Sequence, residues 1–308
     1  MAKTPTAGTP KSRRYAVLDV FTSKPLSGNP LAVVLDSEGL DTQRMQAIAA
    51  EFNLSETVFV APASHPAHSA GVRIFTPARE LPFAGHPTVG TSILLALDRF
   101  GGTGMKEGII VLEESIGAVR CGVKLGADAG YAEFDIPVLP GKPDNGGDRE
   151  LIAAAVGLEP SEVGFENHKP TKCSAGVDFA FVPVRDLKRL NRAQVSSRAF
   201  EEAFGDRGAF LYTRETQSEA NDFQARMFAP AHGIAEDPAT GSAVAAFAGV
   251  VMHFDAPSPG MSRYRVEQGH AMGRPSLIEL EIEIENKALS AVRIGGKAVV
   301  IGRGELFV

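Results

Sequence analysis

The sequence predicts an α+β chain made of two related halves, and three observations carry that reading. Apolar residues recur with period two in many short runs closed by Gly, Pro or Asn, as in hairpin-connected strands. Helical spacing is confined to a few stretches, and these do not alternate with single strands as parallel βα units would. One stretch also occurs twice. His86-Pro87-Thr88-Val89-Gly90-Thr91 overlays Asp237-Pro238-Ala239-Thr240-Gly241-Ser242, with Pro on Pro, Gly on Gly and hydroxyl on hydroxyl. Upstream, Arg73-Ile74-Phe75-Thr76-Pro77 mirrors Arg226-Met227-Phe228-Ala229-Pro230. Two copies of strand, loop and helix start point to a duplicated fold with one site between its halves.

Taken in order, residues 15–21 and 31–35 read as strands around the turn cluster Ser27-Gly28-Asn29-Pro30. Asp41 caps a helix whose Met45, Ile48, Ala49 and Phe52 fall on one face, and Asn53 suits its left-handed stop. Residues 54–60 form a strand that puts Glu56 on the same face as Leu54, Val58 and Val60. Glu56 is either a strand-end carboxylate reaching water or one held beside apolar surface with a raised pKa. Strand 71–76 leads through a loop to an apolar helix over 88–100, stopped by Gly101-Gly102. Strands follow at 109–113, 118–125 and 131–136, and residues 137–148, rich in Pro, Gly and Asp, form a surface linker. A helix over 149–156, a strand at 178–183, a helix over 194–204 and strands at 208–213 and 223–228 precede the second apolar helix, 240–253. Residues 279–285 alternate Glu with Leu or Ile, giving one acidic and one buried face. Residues 290–294 and 297–301 form a closing hairpin over Gly295-Gly296.

At 308 residues the chain is long for one core, so two domains of about 150 residues are expected. Residues 1–14 carry Lys3, Lys11, Arg13 and Arg14 with no acid and read as a disordered tail. Residues 15–125 would be the first domain, completed by a strand in 293–308, and residues 126–292 the second. The net charge of −6 gives no support to nucleic-acid binding. No 18-residue apolar run offers a membrane span, and the N-terminus lacks a signal-peptide cleavage pattern. Two cysteines, Cys121 and Cys173, in unrelated contexts suit a reducing cytoplasm and read as small core residues.

Asp237-Pro238 alone is an ordinary helix start, with Asp as N-cap and Pro at the first helical position. His86 is a poorer cap, so His86-Pro87 asks for another explanation. Gly85 and Gly241 would let a ligand approach backbone amides at two helix starts, where anions bind, and Thr91 and Ser242 offer hydroxyls one turn in. The chain has no dinucleotide fingerprint, Walker loop or nucleophile elbow, and no lysine lies in the paired stretches. His65-x-x-His68 has no third ligand nearby, so a metal site there is not expected. What remains is acid/base chemistry without metal or cofactor.

Five blocks in order carry a family resemblance, from about Tyr15 to the end. They are Gly28-Asn29-Pro30-Leu31-Ala32-Val33-Val34, Asn53-Leu54-Ser55-Glu56-Thr57, Phe83-Ala84-Gly85-His86-Pro87-Thr88, Glu236-Asp237-Pro238-Ala239-Thr240-Gly241-Ser242, and Gln268-Gly269 with Gly273-Arg274-Pro275-Ser276. Together they resemble the PhzF family of phenazine-biosynthesis-type isomerases, relatives of diaminopimelate epimerase. The resemblance implies two pseudo-symmetric domains, each a curved, mostly antiparallel sheet around a central helix, with the site between them and a homodimer as assembly. It makes Glu56 the proton-shuttling carboxylate, places His86 and Asp237 beside the substrate, and assigns substrate binding to Gly85, Gly241 and Ser242. The related epimerases carry two cysteines at the paired helix starts. His86 and Asp237 stand there in this chain, which argues for isomerisation by one carboxylate. The expected activity is a cofactor-independent isomerisation of a small cyclic or amino-acid-like carboxylate, of the trans-2,3-dihydro-3-hydroxyanthranilate isomerase type. The alternatives are a thiol-independent amino-acid epimerase or racemase, and a binding protein that has lost catalysis.

Overall fold

The computed structural model describes residues 11–101 and 106–308. Its elements run β1 (Ser12–Val20), β2 (Asn29–Val34), α1 (Thr42–Phe52), β3 (Glu56–Ala61), β4 (Ala70–Phe75), β5 (Glu80–Leu81), α2 (Gly85–Phe100), β6 (Lys106–Glu114) and β7 (Gly117–Leu125). They continue through β8 (Gly130–Asp135), β9 (Asp144–Asn145), α3 (Arg149–Ala155), β10 (Thr171–Ser174), β11 (Asp178–Pro183), α4 (Leu187–Arg192), α5 (Ser197–Phe204) and β12 (Gly208–Thr213). The last are β13 (Phe223–Ala229), β14 (Ile234–Asp237), α6 (Gly241–Phe254), β15 (Gly260–Gln268), β16 (Ser276–Glu285) and β17 (Ala288–Phe307). Among the described residues, all seventeen strands join one continuous hydrogen-bonded sheet. The fold is a sheet-rich α+β architecture.

Local signals formed the elements they predicted. Asp41 Oδ1 accepts the Arg44 amide at 2.7 Å and Asn53 stops α1 at φ 50°. In β16, Leu280, Ile282 and Ile284 are buried and the intervening glutamates face outward. α6 is apolar nearly all round, the pattern of a helix enclosed on every side, and Phe181, Phe210, Tyr212 and Phe223 close around its Phe247.

The strand pairing repeats. β2 lies parallel to β3, β3 antiparallel to β4, β4 antiparallel to β5 and parallel to β6, and β6 antiparallel to β7. β11 to β16 repeat these relations in the same order. The paired arginines occupy equivalent places. Arg73 of β4 grips Glu80 of β5 at 2.6 and 2.7 Å, and Arg226 of β13 grips Glu236 of β14 at 2.8 Å through both carboxylate oxygens. α2 packs on β1, β2, β6, β7, β8 and β17, and α6 on β10, β11, β16 and β17.

Several expectations need correction. Gly295-Gly296 is no turn, because β17 runs through it as one twenty-residue strand. The glycines are needed for clearance: a Cβ on Gly295 would lie 2.3 Å from the Tyr131 hydroxyl, and one on Gly296 2.3 Å from the Phe21 ring. β17 pairs in succession with β16, β8 and β1, so it ties the last strands of the chain to the first. β8, set after the expected boundary at residue 125, pairs with β7 as well as β17. Residues 12–14 belong to β1 rather than to a tail, and Arg13 is buried with its guanidinium donating to the Asp36 and Glu38 carbonyls. Residues 1–10, Lys3 among them, and Gly102 lie outside the described residues. α4 and β15 are further elements that no periodicity announced.

Candidate active site

Two helix starts meet at the centre of the molecule. α2 begins at Gly85 and α6 at Gly241, and neither has a side-chain cap on its first amides. Free amide donors at a helix start favour negative charge. A Cβ on Gly85 would stand 2.9 Å from Gly241 Cα and 3.2 Å from the Ser242 amide nitrogen, so only glycine permits this contact.

The helix starts do not coincide with the Pro residues of the repeated stretch. Ala84 and Thr240 are the N-caps, His86 is the second residue of α2, and Asp237 ends β14. The structural counterpart of Gly85 is therefore Gly241, and His86 corresponds to Ser242. The overlay of His86 on Asp237 matched letters in which a proline falls inside one helix and ahead of the other. Thr91 consequently lies deep within α2, fully buried, whereas Ser242 is at the helix mouth.

Apart from Thr91, the candidate site residues Glu56, Gly85, His86, Asp237, Gly241 and Ser242 converge here. Glu56 opens β3, its side chain 13% exposed, with Oε2 3.4 Å from His86 Nε2. Neither of those atoms has a hydrogen-bond partner. Of the two readings of Glu56, the apolar one applies: burial raises its pKa well above the ordinary carboxylate range, and the nearby Asp237 charge adds to the rise. Burial also lowers His86 to about 3, so its imidazole is neutral at physiological pH. Asp237 is pushed up to about 6 by burial, against the pull of donors from Thr240, Ser55 and Asn29. Those donors reach it at 2.5 Å (Thr240 Oγ1), 3.0 Å (Ser55 Oγ) and 2.9 Å (Asn29 Nδ2). The two carboxyls thus differ in environment: Asp237 is held by three donors, and Glu56 Oε2 by none. Unequal environments of this kind separate the ionisations of a carboxyl pair.

Sequence reasoning missed the polar frame around these groups. Asn29, fully buried at the start of β2, donates to Asp237 and to the Ala239 carbonyl, both at 2.9 Å, with His86 Nδ1 at 3.4 Å. Gln268, the last residue of β15, donates to the Asp237 carbonyl at 2.7 Å and accepts the Thr240 amide at 3.0 Å, which shapes the entry to α6. Both lie in blocks already singled out, next to Gly28 and Gly269. Gly269 has φ 77°, and a Cβ there would come within 2.3 Å of the Arg274 carbonyl and 2.7 Å of the Pro238 carbonyl. An amide side chain beside a glycine that crowds backbone was the available signal.

The remaining candidates lie elsewhere. Cys121 and Cys173 sit in β7 and β10, and burial raises their thiols to about 12 and about 11. His68 stands 2.8 Å from Glu113, whose carboxylate also accepts the Ser64 and His65 amides, so this pair of histidines belongs to a loop anchor. Among the described residues, no helix is long and apolar enough to cross a membrane.

Residues 18–304 match the family described as phenazine biosynthesis-like protein, PhzC-PhzF. The chain is 50% identical over 306 residues to an uncharacterised isomerase of Mesorhizobium japonicum, covering 97% of this chain and all of that protein. It is 32% identical over 300 residues to the trans-2,3-dihydro-3-hydroxyanthranilate isomerase of Pseudomonas aeruginosa, covering 96% and 99% of the two chains. The crystal structure of a PhzF-family protein of Bacillus anthracis superposes with a TM-score of 0.86 at 25% identity, over 97% of this chain and all of that one. Two helix starts closing on a buried Glu56–His86 pair are thus found in a chain that belongs to the PhzC-PhzF family and is an isomerase.

Proposed function

We propose that this isomerase moves a proton between two carbons of a small cyclic or amino-acid-like carboxylate, as in the trans-2,3-dihydro-3-hydroxyanthranilate isomerase type, with Glu56 as base and then acid. The observation that carries the proposal is Glu56 Oε2, a buried carboxyl oxygen with no partner, beside the equally unpartnered His86 Nε2. A group free of hydrogen bonds and desolvated is a stronger base than an ordinary carboxylate and, once protonated, an acid suited to neutral pH. In the step proposed, Glu56 takes a proton from one carbon and the electron pair of that C–H bond becomes a new double bond. The existing double bond shifts, and the carbon at its far end takes the same proton back from Glu56. The balance needs no oxidant or reductant. The amides at Gly85 and Gly241 and the Ser242 hydroxyl would hold the substrate's carboxylate, while His86 and Asp237 orient its polar groups.

The repeated pairing order supports a pair of pseudo-symmetric domains, the first completed by residues 293–308. In that arrangement the equivalent of Glu56 is Gly208, since Thr57 pairs with Phe75 as Ala209 pairs with Phe228. Only one half would then bring the shuttling carboxylate, which fits a shuttle better than a symmetric two-base racemisation.

Glu56→Gln keeps shape and removes proton exchange. Its turnover of trans-2,3-dihydro-3-hydroxyanthranilate and related cyclic amino acids, followed by NMR in D2O, should fall by at least about 10²- to 10⁴-fold, the usual worth of a positioned acid or base, with binding retained. Undiminished turnover removes Glu56 from the mechanism. Inverted stereochemistry at an amino-acid carbon, without movement of a double bond, would make the protein an epimerase.

A further inference from the structure

The turn that delivers Asn29 is held from the far end of the chain. Arg274 donates from Nε to the Gly28 carbonyl at 2.7 Å and from its second amino nitrogen to the Ser27 carbonyl at 2.8 Å and Asp19 at 2.5 Å. Gly28 itself donates to the Pro275 carbonyl at 3.1 Å and has φ 69°, with no room for a Cβ against the Val20 carbonyl. Asn29 is thereby fixed at a point where its amide nitrogen donates its two hydrogens to Asp237 Oδ1 and the Ala239 carbonyl, with His86 Nδ1 3.4 Å from the same nitrogen.

That arrangement settles which way the amide faces. Turned over, its oxygen would meet a carboxylate and a carbonyl, with no donor between them. With the NH2 toward the cluster, a proton on His86 Nδ1 would point at a donor 3.4 Å away. The ring avoids this conflict only when Nδ1 carries a lone pair and Nε2 the hydrogen. Nε2 is also the nitrogen that lies 3.4 Å from Glu56.

We propose that Asn29 is a positioning residue that fixes the tautomer of His86, keeping the hydrogen on Nε2, the nitrogen nearer Glu56. His86 is then a donor at the reacting end of the site and not a base. Its Nε2 hydrogen is available to a developing charge on the substrate, and the ring cannot take the proton that Glu56 carries at that nitrogen. With His86 Nε2 closed to it as an acceptor, the proton taken by Glu56 is favoured to return to substrate. This consequence rests on the isomerase mechanism proposed above, whereas the tautomer does not.

The test reads the ring directly. Full-length protein labelled with 15N-histidine is observed in long-range 1H–15N spectra without substrate, and the His86 signals are identified by their loss in His86→Gln. Wild type should show a pyridine-like Nδ1 and a pyrrole-like Nε2. Asn29→Ala, or Asn29→Ser if the alanine variant does not fold, should shift both nitrogens toward a mixture of tautomers. Ser55→Ala removes another donor to the same Asp237 oxygen without touching the ring and should leave the His86 pattern as in wild type. A pyrrole-like Nδ1 in wild type overturns the proposal, as does a folded Asn29 variant with unchanged ring shifts. Because no substrate is present, these outcomes are independent of whether Glu56→Gln abolishes turnover.

Discussion

Glu114→Gln should stabilise the protein increasingly as pH rises. Glu114 ends β6 behind the first turn of α2, only 8% exposed, where its Oε1 accepts the Thr88 hydroxyl at 2.7 Å and its Oε2 has no partner. Burial raises its pKa from 4.5 to about 8, against the opposing pull of the Thr88 hydrogen bond. Between those values the unfolded chain has released this proton and the folded chain has kept it. Stability from this group is therefore complete below about pH 4.5 and is lost as pH rises toward 8. At about 1.4 kcal/mol per pKa unit, the loss reaches a ceiling of roughly 5 kcal/mol. Glutamine imitates the protonated acid and does not titrate. Gln268 already stands at the equivalent end of β15, where it supports the turn into α6. The assay is urea unfolding of both proteins at half-unit steps from pH 5 to 9. The variant's advantage should grow by several kcal/mol across that window and then level off. Glu56 and Asp237 titrate in both proteins and drop out of the difference. A difference that stays flat with pH would refute a buried neutral Glu114.

Arg274→Met should cost about 2–4 kcal/mol in denaturant unfolding, below the full cost of breaking a buried pair because Arg274 is 26% exposed while Asp19 is fully buried. Adding Asp19→Asn should recover part of that loss, and an Arg274→Met protein as stable as wild type would contradict the latch on the Asn29 turn. Gly85→Ala places a methyl group 2.9 Å from the Gly241 backbone, which has no side chain to swing away, and should destabilise by about 1–3 kcal/mol. Gly302→Ala, where nothing lies within 4 Å, should be close to neutral, and equal effects at the two positions would show that the helix starts are not in contact.

What was legible in the chain was local. Asp41 and Asn53 bounded α1, the glutamates of 279–285 marked the outer face of β16, and Arg73 and Arg226 announced a repeat that the strand pairing follows. Each of these signals acts over a few residues, through a cap, a pleat or a short ion pair. The Gly295-Gly296 pair misled because its glycines answer to Tyr131 and Phe21, partners far away in sequence.

The same division runs through the site. The sequence by itself determined which chemical groups are present: a glutamate at a strand start, a histidine, an aspartate, and glycines at two helix starts. Only the tertiary structure decided where protons reside on them. Asn29 meets Asp237 across 208 residues of chain, and Gln268 returns to Thr240 across 28. Whether Glu56 is a base or a solvated surface charge depends on water being excluded around it and on donors reaching Asp237 instead. Desolvation and long-range hydrogen bonds are set by the assembled surroundings, and no local pattern in the chain encodes them.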